Sequence, residues 1–448
     1  MKHSVDPCED FYSFACGSFA EGRVVPEHAK KVTVLYEMKR SLDRHLRDIL
    51  ESPSLKNGTA AIQLARTYYL SCMDEDSQSE LGSLPLLSLI SQMGGWELLT
   101  NARFDSADYH WEAMAGQVAS IGVDGLIKVF VHNSFEDRDT NILMFCPPKL
   151  FLEKKKFYRG APSTNAFLAY YRQYIMDLLK LLGVDVEDDM NMIDYQVNDI
   201  IDLERRIANL SRSDTLRNHS VISNLMTYGA FRERYPEIRW ELFFNEELRA
   251  SLGPLTDDML VNVVDLGYFD GLSTLVRSKP LSAILVSWDL AKRSPKTLLW
   301  QFSHQRSSCL FSSVNNYMMW RLVSTFDMYL PPQFRRPSQE FQASMFGATA
   351  EVGTFSNNGQ RTEHDKYLIL KEPHWENCVR EVAENLAMPL STAYASTYFS
   401  PEDRRNAEEM IEDLKKSMER LLLDAEWMDG MTRTAALKKL ENMGHKIG

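Results

Sequence analysis

The ten histidines of this 448-residue chain are spaced too widely for a zinc site carried by one helix. Such a site needs two imidazoles one helical turn apart, so that both point toward the same ion. Here the two nearest histidines, His364 and His374, are ten positions apart, and the pattern His-x-x-x-His is absent. The spacing does not predict a metal-activated hydrolytic site, and we expect this chain to bind no zinc of its own.

The six cysteines do not form a metal-binding motif either, because no Cys-x-x-Cys pair occurs. Three common catalytic and phosphate-binding patterns are also missing: Gly-x-Ser-x-Gly, the Walker loop and Gly-x-Gly-x-x-Gly. The sequence therefore offers no catalytic residue. The cysteines suffice for one or two disulfides, which spacing alone does not pair. They are Cys8, Cys16, Cys72, Cys146, Cys309 and Cys378.

Three Asn-x-Ser/Thr patterns could accept N-linked glycans. They begin at Asn57, Asn209 and Asn218. A three-residue pattern also arises by chance in cytosolic proteins, so these positions give only weak support for a secretory origin.

Helices dominate the elements that would position any site. Apolar residues recur at a 3.6-residue period over 35–50, 60–70, 167–182 and 191–210. A further helix begins after Ser400, which can cap the amide of Asp403. Met410, Ile411, Leu414, Met418, Leu421 and Leu422 share one face of it. A last helix is predicted over 432–443.

A short antiparallel pair of strands is predicted over 127–146, where two apolar segments flank a polar turn. Two stretches, 282–313 and 348–372, follow neither period and are longer than ordinary connections. We interpret both as solvated surface insertions; the alternatives are a functional lid or a misassigned segment. The predicted fold class is mainly α, a multi-helix lobe with a minor antiparallel β element.

Composition excludes several classes of function. The net charge is -12, from 50 Lys and Arg against 62 Asp and Glu, which matches nucleic acid and anionic lipid poorly. Apolar runs stop well short of the roughly 18 residues that a membrane span needs. The first seven residues lack the apolar core of a signal peptide. We expect no nucleic-acid partner, no membrane span and no export signal in this chain.

Several segments appear in an order that resembles a known family. The opening Val5-Asp6-Pro7-Cys8-Glu9-Asp10-Phe11-Tyr12 is similar to the start of the ectodomain of the neprilysin family of zinc metallopeptidases, which includes endothelin-converting enzymes. Further similar segments cover the rest of the chain. They are Tyr68–Asp74, Asn316–Leu322, His374–Cys378 and Glu426–Asp429.

The resemblance implies that residues 5–448 form the N-terminal region of such an enzyme, mostly the helical lid lobe. Its partner would be the catalytic lobe, which follows the segment similar to 443–448 and carries the His-Glu-x-x-His zinc helix. Zinc would be the cofactor of the full-length enzyme and small peptides its substrates. The family also implies an extracellular or plasma-membrane location.

The resemblance also assigns individual residues. It pairs Cys72 with Cys378, a link worth on the order of 4 to 5 kcal/mol in the chain-entropy model. It bonds the positions of Cys8 and Cys16 to cysteines near the family's C-terminus. Lys31 is the counterpart of an Arg that meets the C-terminal side of substrate in some members. Lys keeps the charge but loses bidentate recognition, so a solvated surface lysine is the alternative.

One triplet, Asn165-Ala166-Phe167, spells the family's substrate-binding pattern but precedes a predicted helix, which is the wrong context. The stretch 282–313 departs from the family, which uses a shorter connection there.

Two hypotheses of different classes follow. The chain is the substrate-restricting part of a zinc endopeptidase and is inactive alone, or it is a natural short, non-catalytic peptide-binding or decoy module. An unrelated helical scaffold would require the ordered motifs to be coincidence.

Overall fold

The structure is a computed structural model, and it describes residues 1–19, 21, 23–26, 31–53, 58–100, 109–134, 140–160, 164–185, 190–211, 222–277, 308–351 and 373–447. These residues form nineteen α-helices, four strands and two short 3-10 helices. The mainly helical fold class is therefore confirmed. Among the described residues, no helix combines the length and apolarity that crossing a bilayer requires.

The helices are, in chain order, α1 Phe11–Cys16, α2 Val34–Glu51, α3 Ala60–Met73, α4 Glu75–Leu81, α5 Leu84–Gln92, α6 Glu97–Thr100, α7 Trp111–Ser120, α8 Ala166–Leu181, α9 Met190–Leu210, α10 Tyr228–Arg234, α11 Trp240–Phe243, α12 Glu246–Leu252, α13 Leu266–Arg277, α14 Ser308–Phe326, α15 Pro332–Glu351, α16 His374–Asn385, α17 Ala387–Tyr398, α18 Pro401–Leu423 and α19 Gly430–Glu441. The strands are β1 Lys128–Asn133, β2 Asn141–Cys146, β3 Leu225–Thr227 and β4 Leu260–Val263.

The chain divides into two compact units. The first, here called the terminal unit, combines residues 1–75 and 361–448. The second, the central unit, is the continuous segment 76–360. The terminal unit is thus assembled from two segments that are far apart in sequence.

Four helices form the main core of the terminal unit. Helices α2 and α3 from the first segment pack against α16 and α17 from the second. Their buried side chains meet in one cluster, which includes Leu50, Ile62, Tyr69, Val379 and Leu390.

The helices predicted from periodicity lie where the sequence places them. Those predicted over 35–50, 60–70, 167–182 and 191–210 correspond to α2, α3, α8 and α9. The triplet at Asn165 acts locally: the Asn165 side-chain oxygen accepts from the backbone N–H groups of Phe167 and Leu168 and caps α8. Asn165 is therefore the N-cap of α8.

The sheet is larger than predicted. The expected antiparallel pair is confirmed, with Lys128 opposite Cys146 in β1 and β2. The full strand order is β1-β2-β4-β3, and β2 runs parallel to β4, so the sheet is mixed. The prediction of a purely antiparallel element was incomplete because β3 and β4 have only three and four residues, too few to show a two-residue period.

The two irregular stretches lie mostly outside the described residues. Of 282–313, the last six residues form the start of α14, where Val314 next to them is already buried. They therefore belong to the helix that carries the Asn316 segment. Of 348–372, residues 348–351 end α15 and the others are not described.

Helix α18 begins as predicted and packs differently. The Ser400 side chain accepts from the Asp403 amide and the Asp403 carboxylate accepts from the Ser400 amide, which is a complete capping box. Of its apolar face, Leu422 is buried while Met410, Leu414 and Leu421 are more than 60% exposed. Helix α19 starts earlier than predicted, because Asp429 caps it.

Candidate functional site

A group of arginines at the start of α2 gives the terminal unit a basic cavity of about 220 Å³. The described residues that line it include Arg23, Glu37, Arg40 and Arg44. Lys31, the residue singled out by sequence, is exposed and does not line the cavity, although the next residue, Val32, does. Lys31 is therefore adjacent in sequence to the cavity wall and is not part of it.

Arg23 is held by a carboxylate of α2. Its Nε and Nη2 donate to the two Glu37 oxygens at 2.7 and 3.2 Å, and its Nη1 donates to the Phe19 carbonyl at 2.6 Å. The two hydrogen bonds to Arg23 lower the pKa of Glu37, and those bonds in turn raise the pKa of the guanidinium. This pair is a fixed wall of the cavity, and its charges are mutually neutralised.

The other two arginines are less compensated. Arg40 Nε lies 3.5 Å from Glu376 Oε1, an ionic contact without a hydrogen bond, and the Glu376 side chain is only 6% exposed. Arg44 is exposed, and within the described parts of the chain it has no hydrogen bond or ion pair. A guanidinium without a hydrogen-bonded carboxylate partner suits a carboxylate or phosphate ligand, because binding the ligand to its paired N–H donors breaks no existing hydrogen bond.

The disulfide of the terminal unit lies between α3 of the first segment and α16 of the second. Cys72 and Cys378 are joined, with their Cα atoms 5.7 Å apart. This is the pairing that the family resemblance implies. His374 lies beside it, with Nε2 3.5 Å from Cys378 Sγ and 2.8 Å from the Cys72 carbonyl oxygen.

The other described cysteines carry free thiols. Cys8 and Cys16 are exposed, and Cys146 is partly buried in β2. Burial raises the pKa of the Cys146 thiol to about 12, so this side chain is a poor nucleophile. Cys309 lies in α14, and its side chain is outside the described structure.

The glycosylation positions are only partly described. Asn209 is exposed in the last turn of α9, and its carbonyl accepts from Lys155 Nζ at 3.2 Å. Asn57 and Asn218 lie outside the described residues.

The sequence reasoning missed a buried ionic network in the central unit. Glu204 is completely buried and accepts from the Phe151 amide at 2.8 Å and from the Tyr171 hydroxyl at 2.6 Å. Arg321 Nη1 lies 3.5 Å from the same carboxylate. Because water and ligands have no access to Glu204, this network positions α8, α9 and α14 and does not act on a substrate.

A sequence signal for this network existed. Glu204 falls on the buried stripe of α9, between Ile200 and Ile207, where a charged residue needs a partner. Arg321 lies in one of the segments that carry the family resemblance, and it is the matching cation.

The fit of a metal to these residues can be tested directly. In the described structure, one group of three His, Cys, Asp or Glu side chains has suitable spacing, namely Cys72, His374 and Cys378. Two of these three sulfur and nitrogen donors are tied up in the disulfide. The group therefore does not fit the open, water-bearing zinc site of a hydrolase.

The chain is similar to known proteins over its whole length. The model of the N-terminal region of peptidase family M13 matches residues 7–448. Rat endothelin-converting enzyme 1 is 26% identical over 454 residues, covering 100% of this chain and 51% of the relative. The chain thus spans about half the length of the curated relatives it matches.

Two solved structures share the fold. The Mycobacterium tuberculosis zinc metalloprotease Zmp1, in complex with an inhibitor, superposes with a TM-score of 0.70 at 16% identity, over 98% of this chain and 56% of that one. PepO from Lactobacillus rhamnosis gives a TM-score of 0.70 at 16% identity, over 98% and 59%.

Proposed function

Because this chain belongs to peptidase family M13, we propose that it is the N-terminal, substrate-restricting part of a zinc metalloendopeptidase that acts on small extracellular peptides. The observation that carries the proposal is the family match over 7–448 together with coverage of 51% of endothelin-converting enzyme 1. The natural location of such an enzyme is the extracellular side of the plasma membrane.

Zinc would enter through the other half of the enzyme. When bound, the ion supplies a polarised water and a Lewis acid for peptide hydrolysis. The residues of this chain contribute no step of that chemistry in the proposal, because the histidines are too widely spaced and the group around His374 does not fit. We therefore expect the 448-residue chain to be inactive alone and to require a catalytic lobe as its partner.

The contribution of this chain would be selection of the peptide. The cavity lined by Arg40 and Arg44 is cationic, and Lys31 extends the positive charge at its edge. A peptide carboxylate is the simplest ligand for this region. Lys31 makes a single point contact in this proposal, since an ammonium lacks the paired donors of a guanidinium.

Peptide hydrolysis by the purified chain tests the main proposal. The chain is incubated with Zn²⁺ and a short peptide, with and without phosphoramidon, beside the complete ectodomain of a related enzyme as positive control. No turnover is expected from the chain. Turnover that phosphoramidon abolishes would contradict the proposal.

Binding of short peptides tests the selective role. Lys31→Ala should weaken a peptide with a free C-terminal carboxylate about two- to five-fold, as expected for one exposed ion pair, and leave its C-terminal amide unchanged. Lys39→Ala is the matched control, because Lys39 is also exposed at the start of α2. Equal effects of the two variants would remove Lys31 from the proposal.

The second candidate is the short, non-catalytic peptide-binding or decoy module. Met410, Leu414 and Leu421 form an exposed apolar face on α18. This observation favours the second candidate, because exposed apolar faces are typical of surfaces that bind another protein. The two candidates differ in one measurement: a decoy binds peptides tightly without a catalytic lobe, whereas the substrate-restricting part binds them weakly alone and gains affinity when that lobe is added.

A further inference from the structure

The two cysteines of the terminal unit's disulfide and two side chains beside them make four potential metal ligands. We call Cys72, Glu75, His374 and Cys378 the sulfur-imidazole cluster. Cys72 lies near the end of α3, Glu75 begins α4, and His374 and Cys378 are one turn apart on α16. The last two therefore face the same side of their helix, in a His-x-x-x-Cys spacing.

The two distances from His374 match those between ligands of one tetrahedral ion. Bonds of about 2.3 Å to sulfur and 2.0 Å to nitrogen place a sulfur and a nitrogen ligand about 3.5 Å apart. His374 Nε2 lies 3.5 Å from Cys378 Sγ and 3.6 Å from Glu75 Oε1. The donor atoms of Cys72, His374 and Cys378 all lie within 4.8 Å of one another.

The scaffold can hold two separate thiolates at this point. The Cα atoms of Cys72 and Cys378 are 5.7 Å apart, so rotation about the Cα–Cβ bonds can bring both sulfurs to a shared ion without moving α3 or α16. Cys378 and its neighbour Val379 are completely buried in the core, which fixes one ligand rigidly. His374 and Glu75 are 24% and 45% exposed, which leaves an entry path from solvent.

We propose that reduction of the Cys72–Cys378 disulfide converts this cluster into a binding site for a thiophilic divalent cation such as Zn²⁺. A dithiol reductant donates two electrons and two protons, the sulfur–sulfur bond breaks to two thiols, and the reductant becomes a disulfide. The ion then displaces two protons from the thiols and binds both thiolates, His374 Nε2 and the Glu75 carboxylate. His374 is neutral when it binds the ion: the proton that Nε2 donates to the Cys72 carbonyl oxygen at 2.8 Å moves to Nδ1, which frees the Nε2 lone pair.

This site is distinct from a hydrolytic zinc site and independent of the proposed peptidase role. Two thiolates, an imidazole and a carboxylate fill all four positions, so no open position remains for a reacting water. The ion would replace the covalent link between α3 and α16 by a coordinate one. The terminal unit would keep its two segments together under reducing conditions.

Cobalt titration tests the proposal, since Co²⁺ occupies zinc sites and shows thiolate charge-transfer absorption. A background variant with Cys8, Cys16, Cys146 and Cys309 changed to Ser retains only the two relevant cysteines. It is reduced with a phosphine, which takes up the oxygen of water as it is oxidised, and the phosphine is removed under anaerobic conditions. One Co²⁺ per chain is expected to bind after reduction and none before.

Variants identify the ligands. Cys378→Ser should abolish the charge-transfer band, and His374→Ala should weaken the affinity at least about ten-fold. His45→Ala is the matched control, because His45 stacks on Tyr398 in the same unit, away from the cluster. A reduced chain without the band, or a His374→Ala variant with unchanged affinity, would overturn the proposal.

Far-UV circular dichroism covers the case in which reduction unfolds the chain. Metal binding and folding are then coupled, and Zn²⁺ should restore the helical signal. A reduced, unfolded chain that Zn²⁺ fails to refold would count against the site as firmly as a missing band.

Discussion

The central unit buries an ion pair among aromatic side chains, whereas the terminal unit closes around a disulfide. In the first, Glu204 and Arg321 lie beside Tyr171 and Trp320, all almost completely removed from solvent. In the second, Cys72 and Cys378 join segments that are 306 positions apart. The two units are therefore stabilised by different kinds of linkage.

The difference follows from chain continuity. The central unit is one segment, and its large core excludes water well enough to make a charge pair strong and a lone charge costly. The terminal unit must bring together two distant segments, which costs chain entropy that grows with loop length. A covalent bond between the two segments directly reduces this chain-entropy cost of folding.

The largest test removes the covalent link. The double change Cys72→Ser and Cys378→Ser should lower the unfolding free energy of the terminal unit by up to roughly 5 kcal/mol, because the loop between them is long. Hydrogen exchange of the α3 and α16 amides measures this loss of stability within the terminal unit. Cys8→Ser, an exposed free thiol, is the control and should change nothing.

The next test breaks the buried pair. Arg321→Met should cost the central unit about 3 to 5 kcal/mol, because Glu204 would remain buried and charged without its cation. Urea unfolding followed by tryptophan fluorescence reports the loss. Arg336→Met, which removes a 73% exposed partner of Glu340, should stay within about 0.5 kcal/mol. Similar losses in both variants would show that burial does not strengthen the first pair.

The third test concerns pH. Burial raises the pKa of Asp327 from 3.8 to about 6, although the Tyr174 hydroxyl donates to it. The folded state therefore binds this proton more tightly than the unfolded state, and the contribution is fully present below about pH 4 and lost as the pH rises through 6. The wild type should lose roughly 2.5 kcal/mol more than Asp327→Asn between pH 4 and pH 7.

Urea unfolding of the two proteins at several pH values measures that difference directly. Because all other groups are shared, subtraction isolates Asp327. Parallel stability curves for the two proteins would show that Asp327 is not protonated in this range.

The smallest test returns to the terminal unit. Ser400→Ala removes the capping box of α18 and should destabilise that helix by about 1 kcal/mol. Ser417→Ala is the control, because its hydroxyl bonds the Asp413 carbonyl within the same helix and alanine favours helix there. Hydrogen exchange at the start of α18 compares them. Equal protection in the two variants would assign no weight to the cap.

The sequence predicted those features that depend on local pattern. The capping box at Ser400 and the bounds of α8 and α9 follow from residues within one or two turns, so they could be read directly. The cap at Asp429 was missed because Gly430, a weak helix former, follows it, and the predicted helix therefore began at Thr432.

Features that depend on contacts between residues far apart in sequence could not be predicted from periodicity. The apolar face of α18 was visible, but the pattern does not say whether another element covers it, and Leu414 and Leu421 are exposed. Strand β4 joins the sheet through β2, more than 110 positions earlier, and has too few residues to signal it.

The candidate site divides in the same way. Lys31 came from a family resemblance, while the arginines that line the cavity needed three dimensions, because Arg23 and Arg44 are 21 positions apart in sequence and line the same cavity. The cluster around His374 needed them too, since the spacing on α16 supplies only two of its four side chains.

The two-segment construction of the terminal unit has a consequence for biosynthesis. A ribosome adds roughly 5 to 20 residues per second, so Cys72 emerges on the order of 15 to 60 seconds before Cys378, which is 306 positions later. Throughout that interval the nascent chain carries a thiol whose proper partner has not been translated. Any premature pairing of Cys72 with Cys8 or Cys16 must be reversed by thiol–disulfide exchange before the native link to α16 can form.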